Sequence, residues 1–116
     1  MTVFRRWDIV KISYTANPAM APTHRPGLVI VAGELFRDHG LLWVLMITSA
    51  TNRGWAGDID IKDVTTAGLG VPSIIRTAKI MTVQGRDAYV IGSLASSQRQ
   101  AVGERVFGAM GLIEAA

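Results

Sequence analysis

A chain of 116 residues, 49% of them hydrophobic, has room for one domain with its own core, here taken as residues 1–116. So short a chain still leaves much of its surface uncovered, and a dimer would cover more. It contains no cysteine, which excludes disulfides, thiolate metal sites and cysteine nucleophiles. No apolar run approaches the roughly 18 residues of a membrane helix. Twelve Lys and Arg against nine Asp and Glu leave a net charge of +3, a mild excess that suits a polyanionic partner without demanding one. Arg5-Arg6 is followed by Lys11, which interrupts what would be the apolar run of a signal peptide, so the expectation is a cytoplasmic protein with no membrane segment.

Asp8–Tyr14 alternates, with Val10, Ile12 and Tyr14 on one side and Lys11 and Ser13 on the other, the pattern of a half-buried strand. Thr15–Pro26 holds three of the four prolines and reads as a long loop, a length often associated with function. Gly27–Ala32 is an apolar strand, and Glu34–Gly40 a polar connection with room for a helical turn. Leu41–Ile47 is continuously apolar, as in a strand covered on both faces. A polar loop, Thr48–Gly57, leads to a short strand at Asp58–Ile61. Thr65–Pro72 is a turn region, Ser73–Val83 a longer strand, Gln84–Asp87 a tight turn and Ala88–Ile91 a further strand. Beyond it, Ser97 with Gln100 has the spacing of a capping box, and Val102, Val106 and Met110 mark one face of a helix that Gly103 and Gly108 weaken. The pattern is an α+β chain, mainly β: a small β-barrel or curled sheet closed by a C-terminal helix.

Neither a Gly-rich phosphate loop nor a nucleophile elbow is present. His24 and His39 are not at ligand spacing, so neither a metal site nor a cofactor is expected. Asp58, Asp60 and Asp63 lack the remaining ligands of a calcium loop and read as a solvated strand face. The informative segment is 23–30, Thr-His-Arg-Pro-Gly-Leu-Val-Ile. Pro26 disfavours helix at Arg25 and holds its guanidinium where a long loop meets an apolar strand. That arginine is either a phosphate ligand or an ordinary surface residue. In 46–49, Met-Ile-Thr-Ser, hydroxyls appear where a buried strand emerges, and their plain role would be to satisfy the following turn.

Several short segments, in order along nearly the whole chain, resemble the PemK/MazF toxins of type II toxin–antitoxin systems. Trp7-Asp8-Ile9-Val10 is similar to their opening strand, and Asn17-Pro18 falls at their first-loop proline. His24-Arg25-Pro26-Gly27-Leu28-Val29 resembles their Arg-Pro segment, and Met46-Ile47-Thr48-Ser49 their Ile-Thr-Ser/Thr segment. Gly68-Leu69 with Ser73-Ile74-Ile75, and Ile91-Gly92-Ser93-Leu94, complete the series. Two departures stand out: the family's usual glycine is Trp7 here, and Pro18-Ala-Met-Ala-Pro replaces a Gly-x-Glu.

The resemblance implies an SH3-like β-barrel with a C-terminal helix and a homodimer whose groove holds RNA. It implies cleavage of single-stranded RNA by attack of the 2′-hydroxyl, without a metal, to a 2′,3′-cyclic phosphate and a 5′-hydroxyl. It assigns catalysis to Arg25 and Thr48, with His24 and Ser49 as candidate substrate contacts, and an acidic, partly disordered antitoxin as partner. Other classes also fit a small barrel: a gyrase-poisoning toxin of the same fold, and a non-catalytic SH3-like binding module.

Overall fold

The computed structural model describes residues 3–14, 19–21 and 23–112. Its elements are β1 (Asp8–Tyr14), β2 (Thr23–Val31), α1 (Gly33–His39), β3 (Leu41–Ser49), β4 (Ile59–Asp60), β5 (Ser73–Gln84), β6 (Ala88–Ser93) and α2 (Ser96–Ala109), with short 3-10 turns at Ala50–Asn52 and Gly85–Asp87. The strands form one six-stranded sheet in the order β4-β5-β3-β2-β1-β6. Each neighbouring pair is antiparallel. Among the described residues no helix is long and apolar enough to cross a membrane.

The continuous apolar run of β3 has the meaning expected of it. Leu42 and Val44 face one core, with Phe4, Val10, Ile12, Val29 and Val83; Leu45 and Ile47 face the other, with Ile9, Leu28, Ile75, Leu94, Val102 and Val106. Strands β1 and β2 alternate between the same two cores. Phe4 and Phe36 meet edge to face over the first core, their ring centroids 5.1 Å apart. The second core lies beneath α2.

The expected barrel is a sheet that stays open, because β4 and β6 at its two edges are not paired with each other. The loop after β4 lies across the gap instead: Ser93 N donates to Thr66 O at 3.1 Å, while the next residue, Leu94, turns back to the start of β1 and donates from its N to Trp7 O at 2.9 Å. Two of the sequence's glycines make this approach possible. A Cβ on Gly92 would overlap the Ala67 carbonyl, and one on Gly68, whose φ is +75°, would overlap that of Ile91.

Three further boundaries differ from expectation. Thr23–Pro26 belongs to β2, with Arg25 opposite Ile12 of β1; the rest of the predicted long loop, including Asn17-Pro18, lies outside the described residues except for 19–21. The polar connection at 33–39 is a full short helix, closed by Gly40 in the left-handed conformation. The capping box is not made. Helix α2 begins at Ser96 with Ala95 as an N-cap lacking a side-chain bond, and Gln100 donates to Glu104 instead. Gln98 carries the junction: it is buried, accepts from Lys62 N at 3.0 Å and donates to Asp60 O at 2.6 Å. Val102 and Val106 face the core as the spacing requires, whereas Met110 is exposed.

Candidate active site

Strands β2 and β3 are paired from Gly27–Met46 to Val31–Trp43 and part company beyond Gly27. Pro26 stands at the parting, where β2 has only β1 beside it, so its missing N–H costs no ladder bond to β3. Gly27 leaves the room that Ile12 and Val44 fill, since a Cβ there would stand 3.0 Å from Ile12 Cδ1. On the other side of β3 the ladder also breaks at Met46. Leu45 pairs with Ile80 but Met46 with Arg76, so Thr77, Ala78 and Lys79 bulge out of β5. The two irregularities open a groove of about 440 Å³, lined by Arg25, Met46, Ile47, Thr48, Arg76, Lys79 and Met81.

The structure therefore brings Arg25 and Thr48, far apart in sequence, to one surface. Arg25 is exposed, and among the described residues no acceptor pairs with its guanidinium. Thr48 Oγ1 accepts a hydrogen bond from Asn52 Nδ2 at 2.9 Å, which leaves its own O–H to donate elsewhere. Among the described residues no carboxylate lines the groove.

His24 and Ser49 are placed differently. Each is the strand neighbour of a groove residue, but neither lines the groove itself. His24 is exposed opposite Ser13 and is not part of the groove lining. Ser49 Oγ lies 3.0 Å from Thr51 Oγ1 and accepts from Thr51 N at 3.3 Å, so it satisfies the 3-10 turn that follows.

Arg76 and Lys79 were not singled out in the sequence. Arg76 is nearly buried and fully engaged on one side: Nε donates to Asp58 Oδ1 at 3.2 Å, while Nη2 donates to Asp58 Oδ2 at 3.0 Å and to Asn52 O at 2.7 Å. Its guanidinium also lies 4.3 Å from the centre of the Trp55 ring. Asp58 is thus no part of a solvated strand face, as the sequence reading had it. The Arg76 side chain, followed by the backbone N–H groups of Trp55 and Gly54, holds its carboxyl below the usual value of 3.8 against an opposing effect of burial. Asp60 is exposed and paired with Arg53 at 2.8 Å, and Asp63 closes a turn through Thr66. The legible signal was a charged residue, Arg76, directly after the apolar pair Ile74-Ile75, since a charge in a covered strand needs a partner. Among the described residues no three His, Asp or Glu side chains gather as metal ligands.

Over residues 5–107 the sequence matches the family described as PemK-like, MazF-like toxin of type II toxin–antitoxin systems. The chain belongs to this family. Among solved structures, an endoribonuclease from a Mycobacterial species in complex with its cognate antitoxin is similar with a TM-score of 0.75 at 10% identity, covering 97% of this chain and 100% of that one. A MazE-MazF structure from Deinococcus radiodurans gives 0.73 at 18% identity over 96% and 98% of the two chains. Toxin MazF-mt6 of Mycobacterium tuberculosis gives 0.67 at 23% identity over 88% and 95%. At these identities the likeness concerns the fold. A comparison with curated proteins finds no match.

The family's usual glycine at position 7 has a structural counterpart in this PemK/MazF chain. Trp7 has φ +78°, the left-handed conformation that glycine adopts without strain, and is the one non-glycine residue with positive φ among those described. Its side chain lines an apolar cleft of about 310 Å³ between α2 and the sheet, together with Trp43, Ile80, Phe107 and Met110.

Proposed function

We propose that this toxin is a metal-independent endoribonuclease acting on single-stranded RNA at the groove lined by β2, β3 and β5. The observation that carries this reading is the convergence of the Arg25 guanidinium and the Thr48 hydroxyl on one groove, where among the described residues no acceptor pairs with Arg25 and no carboxylate is in the lining. In the reaction, the ribose 2′-oxygen bonds to the adjacent phosphorus and the P–O5′ bond breaks. The 2′-hydroxyl gives its proton to solvent and the leaving 5′-oxygen takes one up, giving a 2′,3′-cyclic phosphate and a 5′-hydroxyl. Negative charge grows on the non-bridging oxygens. Arg25 meets it with a planar fork of donors that stays charged, and Thr48 donates its hydroxyl hydrogen to a second oxygen. Lys79 adds a point charge at the rim.

The test is incubation of the purified protein with a long RNA in EDTA. Fragments bearing cyclic phosphates and 5′-hydroxyls are expected; intact RNA would favour a binding toxin directed at gyrase, or a non-catalytic module. We further propose an acidic antitoxin segment, disordered when free, that orders over Arg25 and Lys79. Solved relatives described with MazE or a cognate antitoxin support such a partner. A second copy of the chain is the proposed cover of the apolar cleft beside α2, where Trp43, Ile80, Phe107 and Met110 are all exposed.

A further inference from the structure

Trp55 is an aromatic residue without an assigned task. It lies in the 53–58 turn and is 52% exposed. Among the described residues the other large exposed aromatic side chains lie elsewhere: Trp43 and Phe107 line the apolar cleft, and Tyr89 is on the edge strand β6. Trp55 instead touches the groove through Arg76, whose guanidinium covers one face of its ring at 4.3 Å and itself lines the groove.

The seat of this ring is rigid. Asp58 Oδ2 accepts from Trp55 N at 3.1 Å and from Gly54 N at 3.2 Å, and Asp58 N returns a bond to Trp55 O at 3.1 Å. The same carboxylate holds Arg76, which is fixed again by Asn52 O. One carboxylate thus locks both the backbone beneath the indole and the cation that covers one of its faces. A ring covered on one face and still half exposed has its other face open. Because the backbone beneath the ring is held and Arg76 rests on one of its faces, less conformational entropy is lost when something flat settles on the other.

We infer that Trp55 is a stacking platform for one unpaired nucleobase of a strand whose phosphates lie along Arg25 and Lys79. The inference deepens the nucleic-acid reading of the same groove and rests on it. Aromatic rings serve single-stranded nucleic acid in this way because every base presents a π-face. In this arrangement Arg76 is a buttress: its charge is matched by Asp58, and it is Arg25 and Lys79 that meet the backbone. Trp55 is a specificity and affinity residue, not a catalytic one.

The experiment measures fluorescence anisotropy of a labelled single-stranded oligonucleotide of mixed sequence. Its sugars are 2′-deoxy throughout, so that attack is impossible. A series carries one abasic site at each position in turn. With wild-type protein, one abasic position is expected to weaken binding by roughly tenfold, the effect of losing one stacked base. Trp55→Ala should weaken binding of the intact strand by a similar factor and abolish the penalty at that position alone. Trp55→Leu, which keeps apolar cover for Arg76 but offers no π-face, should behave like Trp55→Ala, while Trp55→Phe should retain most of the affinity. The salt dependence should keep its slope in all three, since stacking adds no phosphate contact. An abasic profile that is the same in wild type and Trp55→Ala, or wild-type binding by Trp55→Leu, overturns the proposal. Binding with the expected profile but no cleavage of the matching ribose strand supports the platform and removes the nuclease. No binding of any of these strands overturns the platform, and cleavage of the matching ribose strand then decides the nuclease by itself.

Discussion

Arg25 sits on the exposed end of β2, beyond its last pair with β3, so its side chain serves the groove without holding a core together. Arg25→Ala should lower RNA cleavage by at least about a hundredfold, the loss expected for one preorganised donor. The melting temperature should hardly move, because exposed substitutions usually change stability by about 0.5 kcal/mol or less. Arg25→Lys should rescue poorly, since a point charge does not reproduce the fork. At Thr48 the hydroxyl both accepts from Asn52 and remains free to donate. Thr48→Ser should therefore keep most of the activity and Thr48→Ala lose it. His24 is exposed and does not line the groove, so His24→Ala should change the rate by a few-fold at most and leave the pH–rate profile unaltered. Measured kcat and KM across these variants, with melting curves as controls, decide each case. Full-rate cleavage by a folded Arg25→Ala protein would remove this site from the reaction.

Strand β5 joins the groove to the fold through Arg76, and its partner Asp58 links stability to pH. The folded pKa of Asp58 lies below its ordinary 3.8, lowered first by Arg76. Between those two values the unfolded chain takes up a proton that the folded chain refuses. The pair's contribution is thus present above about pH 4 and is lost as pH falls through the lower value. Asp58→Asn should cost about 3 kcal/mol at neutral pH, the order seen when one partner of a buried pair is removed. The gap in melting temperature between variant and wild type should close as the solution is acidified below the ordinary carboxylate value. Much of this element-level order was visible in the sequence. Alternation marked β1, continuous apolarity marked β3, and glycines marked the turns, because those signals are local. The break of β2 from β3, the bulge of Thr77–Lys79 and the reach of Arg76 to Asp58 are products of register between distant strands, which no local pattern encodes. Arg25 and Thr48 were legible through the family's motifs, and their meeting on one groove required the sheet. The Gly68 and Gly92 motifs likewise became intelligible only when the loop after β4 was seen lying against β6. Gly92→Ala should destabilise by about 2–3 kcal/mol, with a fall in melting temperature on the order of 10 °C, because a methyl group there meets backbone that cannot yield cheaply.

At the scale of the whole molecule the uncovered apolar cleft beside α2 stands apart from the basic groove. If a second copy covers it, light scattering at micromolar concentration should report twice the mass of one chain, and Phe107→Glu should return the mass to that of a monomer while leaving the circular dichroism spectrum unchanged. A wild-type monomer at that concentration would overturn this assignment. The two cores have a further consequence. Strands β1, β2 and β3 supply side chains to both of them, so neither face of the sheet can melt while the other stays packed. In hydrogen exchange, the amides of these three strands should form a single slowest-exchanging group, opening only with global unfolding. Thr48 lies near the end of the same β3 whose Leu42, Val44, Leu45 and Ile47 divide between the cores. If the proposed groove is the reacting surface, a strand shared in this way gives it no dormant, half-open form: the surface would be complete as soon as the chain folds, and restraint would have to come from something that occupies it.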